Sequence, residues 1–273
     1  MSIYKKETEA LAPNLGSRVG ALFTERLGGV SSGPWGGPEE VMGLNVGTRV
    51  GDNAACVRMN RAMVAQLAPE APRWMTQVHG VRVVHADDVA DDTVEADASW
   101  TMTPGVVCAV QVADCLPVLI AENDGRIVAA VHAGWRSLAA GIIEETVREM
   151  RRALAAAAGD EAAQAAGFRA WLGPRIGFDD FETGPEVAAA FKEHFGDAPE
   201  CARQGEGDRL YIDLAGYARR ALAGVGVTEV EDCGLSTVAD PARFYSYRRD
   251  GEKTGRHAAL IWIRPQQAPA AAA

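Results

Sequence analysis

The stretch from Gly105 to Leu154 changes its hydrophobic period once, and that change constrains the fold more than any other feature of the chain. Residues 105–112 (GVVCAVQV), 116–121 and 126–132 are short apolar runs bounded by turn residues, and they read as three successive buried strands. After Gly134-Trp135 the apolar positions Leu138, Ile142, Ile143, Val147, Met150 and Leu154 recur at helical spacing. A long helix is therefore expected to follow the strands. The hairpin-like spacing between 105 and 132 argues against a purely parallel sheet.

Other segments fit around this centre. Residues 18–24 alternate as a strand, 73–85 hold strand-like pieces, and 169–173, 227–232 and 257–263 are further strands. Helices are expected over 53–67, capped by Asp52 with Val57, Met63, Val64 and Leu67 on one face, over 185–195, and over 213–223, capped by Asp213. The alanine-rich 155–166 reads as the end of the long helix or a flexible loop. No repeat and no linker breaks the pattern. The expected class is α/β (α+β): a single layered domain with mixed β-sheets flanked by helices over 18–264, with an N-terminal extension at 1–17 and a disordered low-complexity tail at 265–273.

With 273 residues, 48% of them hydrophobic, the chain can bury a core without disulfide staples. Its net charge of −10 argues against an extended nucleic-acid surface but leaves room for a local basic pocket. Five scattered cysteines suit free thiols in a reducing compartment. No apolar run is long enough for a membrane span and the N-terminus lacks a signal-peptide core, so a cytoplasmic protein is expected.

Three short segments carry the chemistry: Gln77-Val78-His79-Gly80, Ala113-Asp114-Cys115-Leu116-Pro117 and Val131-His132-Ala133-Gly134-Trp135-Arg136. Each sets one metal-binding side chain in a turn beside a strand. Two histidines and a thiolate make an incomplete zinc shell with a fourth position open for water or substrate. The ligands stand about 36 and 17 residues apart, too far for a zinc finger, so the turn context carries the signal rather than the spacing. Taken singly, Cys115 also reads as a small buried hydrophobe and His132 as a core histidine. His85 and His194 are expected at the surface, with His257 left open. Five histidines are too few for a blue copper site plus a three-copper cluster.

Cations form a second group. Arg248, Arg249 and Arg256 lie in glycine-containing turns before the last strand, and Arg136 opens the helix after Gly134. Arginine in such turns suits bidentate phosphate recognition, although an ordinary charged hairpin has the same composition. Arg26 and Asn45 sit in two glycine-supported loops that face either a ligand or nothing. Asp114, a carboxylate in an apolar run, requires a partner.

The ordered segments FTERLGGVSSGPW, GLNVGTRVGD, VRMNR, TQVHG, ADCLPVLI, AAVHAGWRSLAAG, LGPRIG and FYSYRRDGEKTGRHAALIWI resemble the laccase-domain proteins once labelled multicopper polyphenol oxidases. That family includes purine nucleoside enzymes and the bacterial peptidoglycan editing factor. The resemblance spans 18–264. It implies a core similar to that of bacterial deamidating toxins, which are cysteine hydrolases, and one zinc per chain on His79, Cys115 and His132. It implies phosphorolysis of adenosine, S-methyl-5′-thioadenosine, inosine and guanosine, together with deamination of adenosine. Three positions depart from the family pattern: Gln111-Val112 before ADCLP, Ser137 after HAGWR, and Gly234 after Cys233.

On that reading phosphate attacks C1′ of the ribose, held by Arg136 and Arg248 with Arg249 or Arg256 assisting. Asn45 and Gln77 are candidates for sugar or base contacts, with Arg26 beside them. Asp114 is the candidate for proton transfer in deamination, or a support for the zinc thiolate. The partners expected are purine nucleosides and phosphate, with no nucleic acid and no membrane, and the protein is expected as a monomer or small homo-oligomer. The rival reading is a cysteine hydrolase or amidase with Cys115 as nucleophile and His132 as base, and the resemblance also implies a peptidoglycan-precursor editing enzyme as an alternative.

Overall fold

The computed structural model describes residues 10–266, in which two sheets lie face to face with helices on both outer sides. The strands are β1 (Ala10–Leu11), β2 (Val19–Thr24), β3 (Leu27–Ser31), β4 (Val83–His85), β5 (Ala98–Thr101), β6 (Val107–Val112) and β7 (Leu116–Glu122). They continue as β8 (Val128–Ala133), β9 (Phe168–Leu172), β10 (Glu182–Thr183), β11 (Ala202–Gln204), β12 (Leu210–Ile212), β13 (Glu229–Asp232) and β14 (His257–Ile263). The helices are α1 (Ala54–Ala65), α2 (Trp135–Ala139), α3 (Ile142–Ala158), α4 (Asp160–Ala165), α5 (Pro185–Phe195), α6 (Leu214–Gly224) and α7 (Tyr247–Asp250).

One sheet has the order β13-β9-β7-β8-β5-β4, and it is mixed: β13 pairs with β9 and β4 with β5 in parallel, the rest antiparallel. The sheet facing it, the smaller of the two in the stack, has the antiparallel order β1-β2-β14-β6, and β10-β12-β11 form a separate antiparallel sheet. Strand pleating explains the stacking. On β7, Leu119 and Ala121 point into the space between the sheets, where they meet Phe23, Val110, Ala130 and Ile261. Leu116, Val118 and Ile120 point the other way, onto Ile143, Val147 and Leu222 of α3 and α6. The outer face of the smaller sheet, through Leu22, Ala109 and Leu260, packs on Val64 of α1. Both faces of β7, β8 and β14 are thus buried, which is why these strands read as continuous apolar runs. Each Leu or Ile so buried contributes roughly 1.5–3 kcal/mol.

Several sequence expectations need correction. β7 and β8 form the expected hairpin, but β6 belongs to the other sheet. The chain crosses between layers at residues 113–115, and Asp114 makes the crossing at φ 80°. The long helix is two helices, because Gly141 takes φ 88° between α2 and α3. The alanine-rich stretch is not a loop: α3 runs to Ala158, and α4 follows after Gly159. Asn53, not Asp52, caps α1, accepting from the Ala55 N–H. Asp52 instead accepts from Ser31 Oγ at 2.6 Å and Asn45 Nδ2 at 2.8 Å. Of the face assigned to α1, Val57 and Val64 are buried, whereas Leu67 is exposed. Residues 10–17 are no appendage, since β1 extends the smaller sheet and Leu15 is buried. The expected disordered tail falls mainly on 267–273, outside the described residues.

Candidate metal centre

The ends of three strand-bearing segments converge at one rim of the larger sheet. His132 is the penultimate residue of β8, paired across the sheet with Pro117 of β7, so Cys115 lies just beyond its neighbour strand. His79 comes from the loop before β4. The ligand atoms of His79, Cys115 and His132 all lie within 4.8 Å of one another. The two imidazole rings meet edge to face, with centroids 4.7 Å apart.

Asp97 assembles this arrangement, and nothing in the sequence reading singled it out. Its carboxylate is fully buried at the start of β5. It accepts hydrogen bonds from the N–H groups of Val78, His79 and Gly80 at 3.2, 3.0 and 2.7 Å. It also bonds His132 Nδ1 at 2.8 Å, which leaves Nε2 as the free nitrogen of that ring. Three successive N–H groups turned on one anion hold His79 at φ 58°, an uncommon conformation for a side-chain-bearing residue. The only local signal was a carboxylate among small residues, Ala96-Asp97-Ala98, ahead of a strand.

Gly134 leaves the room for this cluster. A Cβ there would stand 2.5 Å from His79 Nδ1 and 3.3 Å from Cys115 Sγ. Burial also lowers the pKa of His79 to about 4, helped by the neighbouring His132; the ring opens to the cavity mouth but is backed by protein. Burial likewise acts to lower His132, but the Cys115 sulfur and the Asp97 carboxylate outweigh it and bring the imidazole to about 9. A donor set of two imidazoles and a thiol, one imidazole already oriented by a carboxylate, fits a borderline divalent ion.

The triad opens into a cavity of about 550 Å³, within the range of small-ligand sites. Arg49, Arg136, Arg248 and Arg256 line it, as do Gln77 and Asp114. Arg136 stacks on Trp135, 4.2 Å from the ring centroid. Arg248 Nη1 donates to the Asp180 and Glu182 carbonyls, leaving Nε and Nη2 of the guanidinium unengaged among the described residues. Arg256 donates through Nη1 to the Thr254 and Gly255 carbonyls. Gln77 spans to β6, donating to the Gln111 carbonyl and accepting from the Gln111 N–H, both at 2.7 Å, like one more rung of the sheet. Asp114 is encircled: Oδ1 accepts from Thr237 Oγ1 at 2.5 Å, and Oδ2 from Ser246 Oγ and the Arg248 N–H at 3.1 and 2.6 Å.

Three other sequence candidates do not line the cavity. Arg26 is consumed by the Gly36 and Pro241 carbonyls. Arg249 is consumed by Asp250 and the carbonyls of Thr237, Val238 and Phe244. Asn45 is buried, binding Gly47, Asp52 and the Arg256 N–H, so it supports the cavity wall from behind. Of the three departures noted in the sequence, Gln111 and Val112 line the cavity, whereas Ser137 and Gly234 do not.

The family model for multi-copper polyphenol oxidoreductase laccase matches residues 20–264. The chain belongs to this family. It is 41% identical to a purine nucleoside phosphorylase of Pseudomonas aeruginosa over 91% of this chain and 95% of that protein. It is 40% identical to the purine nucleoside phosphorylase YfiH of Escherichia coli over 90% of this chain and 94% of that one. Among solved structures, a Neisseria meningitidis protein superposes with a TM-score of 0.82 at 38% identity, covering 94% of this chain and 99% of that one. YlmD from Geobacillus stearothermophilus gives 0.76 at 28% identity, over 91% and 93%. These neighbours share the mixed α/β architecture.

The remaining histidines are placed where they do other work. His85 pairs with Asp87 at 3.0 Å and lies against Trp100. His194 bonds Glu144 at 2.9 Å. His257 is a core residue: its Nδ1 donates to the Thr24 carbonyl and its Nε2 accepts from the Tyr245 N–H. Among the described residues no helix is long and apolar enough to cross a membrane.

Proposed function

We propose that the protein is a purine nucleoside phosphorylase that holds one zinc ion on His79, Cys115 and His132. The substrates are adenosine, S-methyl-5′-thioadenosine, inosine and guanosine, and adenosine is also deaminated. The observation that carries this reading is the meeting of the His-Cys-His cluster and four arginines in one cavity. The named relatives support it. Zinc rather than a copper cluster agrees with the three histidines engaged elsewhere.

A zinc ion there would supply Lewis acidity and lower the pKa of a water suited to displacing the exocyclic amine of adenosine. The remaining steps belong to the chain. Arg136, Arg248 and Arg256 bind the phosphate that attacks C1′ and stabilise the charge of the departing purine. Asp114 positions Arg248 through its backbone N–H, and with three donors on its carboxylate it acts in support rather than as a proton carrier. Gln77 fixes the His79 loop to β6 and offers its flank to the nucleoside. Arg248→Ala tests the division of labour. Phosphorolysis should fall on the order of ten- to a hundredfold more than deamination, the worth of one charge-assisted anchor. Equal loss of both would make Arg248 structural.

One observation favours a second reading. The Cys115 sulfur lies within 4.8 Å of a ring nitrogen of His132, and Asp97 orients that ring through Nδ1, which supplies a nucleophile, a base and an orienting carboxylate. Metal-free protein alkylated at Cys115 by an amide-mimicking electrophile, with no nucleoside turnover by the zinc-loaded form, would select a cysteine hydrolase.

A further inference from the structure

Arg49 has no partner among the described residues, although its backbone is firmly held. The loop that carries it is fixed at both ends. Gly47 N–H donates to Asn45 Oδ1 at 2.9 Å, and the Val50 carbonyl accepts from Trp35 Nε1 at 3.1 Å. Behind it, Asn45 and Ser31 both donate to Asp52. The Arg256 side chain packs directly on Gly47, so close that a Cβ there would stand 2.7 Å from Arg256 Cγ. A pre-set loop thus presents an exposed, unpaired guanidinium to the cavity.

The charge in the cavity exceeds what one phosphate requires. Four guanidiniums line it, and all stay charged at any working pH. Its two carboxylates are already engaged: Asp92 pairs with Arg61 at 3.1 Å, and Asp114 accepts three hydrogen bonds. Inorganic phosphate carries close to two negative charges at neutral pH and is matched by two or three of these arginines. Arg136 stands two residues after Gly134, which abuts His79 and Cys115, whereas Arg49 is carried by the 47–50 loop, whose Gly47 abuts Arg256. With Arg136, Arg248 and Arg256 assigned to inorganic phosphate, Arg49 is the cation left over.

We infer that Arg49 is a specificity-determining residue for a second phosphoryl group, carried by the substrate, so that purine nucleoside 5′-monophosphates are taken as well as nucleosides. This rests on the phosphorolysis proposed above. A phosphate oxygen attacks C1′ of the nucleotide, and the C1′–N9 bond breaks with its electron pair passing to the purine. The purine gains a proton from solvent, and the products are the free base and ribose 1,5-bisphosphate. No oxidant or further reactant is needed.

The test compares adenosine and adenosine 5′-monophosphate as substrates for the zinc-loaded protein in phosphate, with wild type and Arg49→Gln. The expected results are adenine release from the nucleotide and at least a tenfold fall in the nucleotide-to-adenosine ratio of kcat/KM in the variant. The proposal is overturned if the nucleotide is neither cleaved nor competitive with adenosine. It is overturned equally if the variant loses both activities in proportion, which would assign Arg49 to the inorganic phosphate. If wild type cleaves neither substrate, the phosphorylase reading itself has failed, and calorimetric titration decides the rest. Tighter binding of the nucleotide than of adenosine, lost in Arg49→Gln, keeps the second phosphoryl site, whereas equal binding removes it.

Discussion

Asp97 accepts four hydrogen bonds while fully buried, three from the backbone of the His79 loop and one from His132. Asp97→Asn keeps the shape but replaces one acceptor oxygen with a donor that meets other donors. Metal affinity should fall about 10–100-fold, the usual effect of losing a carboxylate behind a ligating histidine. Competition against a chromophoric chelator measures it, and unchanged affinity would mean that Asp97 serves only the fold. Cys115→Ala and His132→Ala should abolish tight binding with the fold kept, and stoichiometric zinc in both would refute the ligand assignment. His257 gives a pH prediction. Burial drives its pKa to about 3 from an ordinary 6.5, so below pH 6.5 the unfolded chain takes up a proton that the folded chain refuses. This contribution is intact above pH 6.5 and is lost on acidification at about 1.4 kcal/mol per pH unit. In urea unfolding, the stability gap between wild type and His257→Gln should therefore shrink by about 2 kcal/mol from pH 7 to pH 5. A constant gap would show that His257 protonates in the fold.

Glycines at the element ends decide whether the centre can assemble. Gly134 has φ −60°, which any residue tolerates, so Gly134→Ala adds no backbone strain. Its Cβ would still press on His79 Nδ1 at 2.5 Å. The variant should keep its melting temperature without metal and lose metal binding. Loss of both together would point to a packing defect instead. Gly141 is the opposite case, with φ 88° and the His194 ring 3.1 Å from where a Cβ would stand. Gly141→Ala should cost on the order of 1–2 kcal/mol in denaturant unfolding, because alanine must adopt the left-handed region. This break was invisible in the sequence because the apolar spacing through Leu138, Ile142 and Ile143 stays in register across it. Elements set by local periodicity were legible: α5 and β14 have the residues expected of them. The sheet to which β6 belongs was not, since a strand apolar on both faces carries no mark of its partners.

At the scale of the molecule, the two-sheet stack brings side chains from residues 49 to 256 into one cavity, and that convergence is what the sequence reading resolved least evenly. The three proposed metal ligands stood out because each lies in a short segment of turn residues beside an apolar, strand-like run. The arginines did not sort themselves, because Arg248 and Arg249 are neighbours with similar surroundings in the sequence. Only tertiary carbonyl partners separate Arg249, spent on the fold, from Arg248, which faces the cavity. Arg49 was passed over for the converse reason: nothing local reveals that a guanidinium lacks a partner.

The most direct test of the central claim is the product balance when zinc-loaded protein acts on adenosine in phosphate buffer, followed by chromatography. Adenine and ribose 1-phosphate should accumulate in equal amounts, in proportion to enzyme, and adenine should cease to form when phosphate is withdrawn. Unchanged adenosine under the same conditions, or adenine released at the same rate without phosphate, would contradict it.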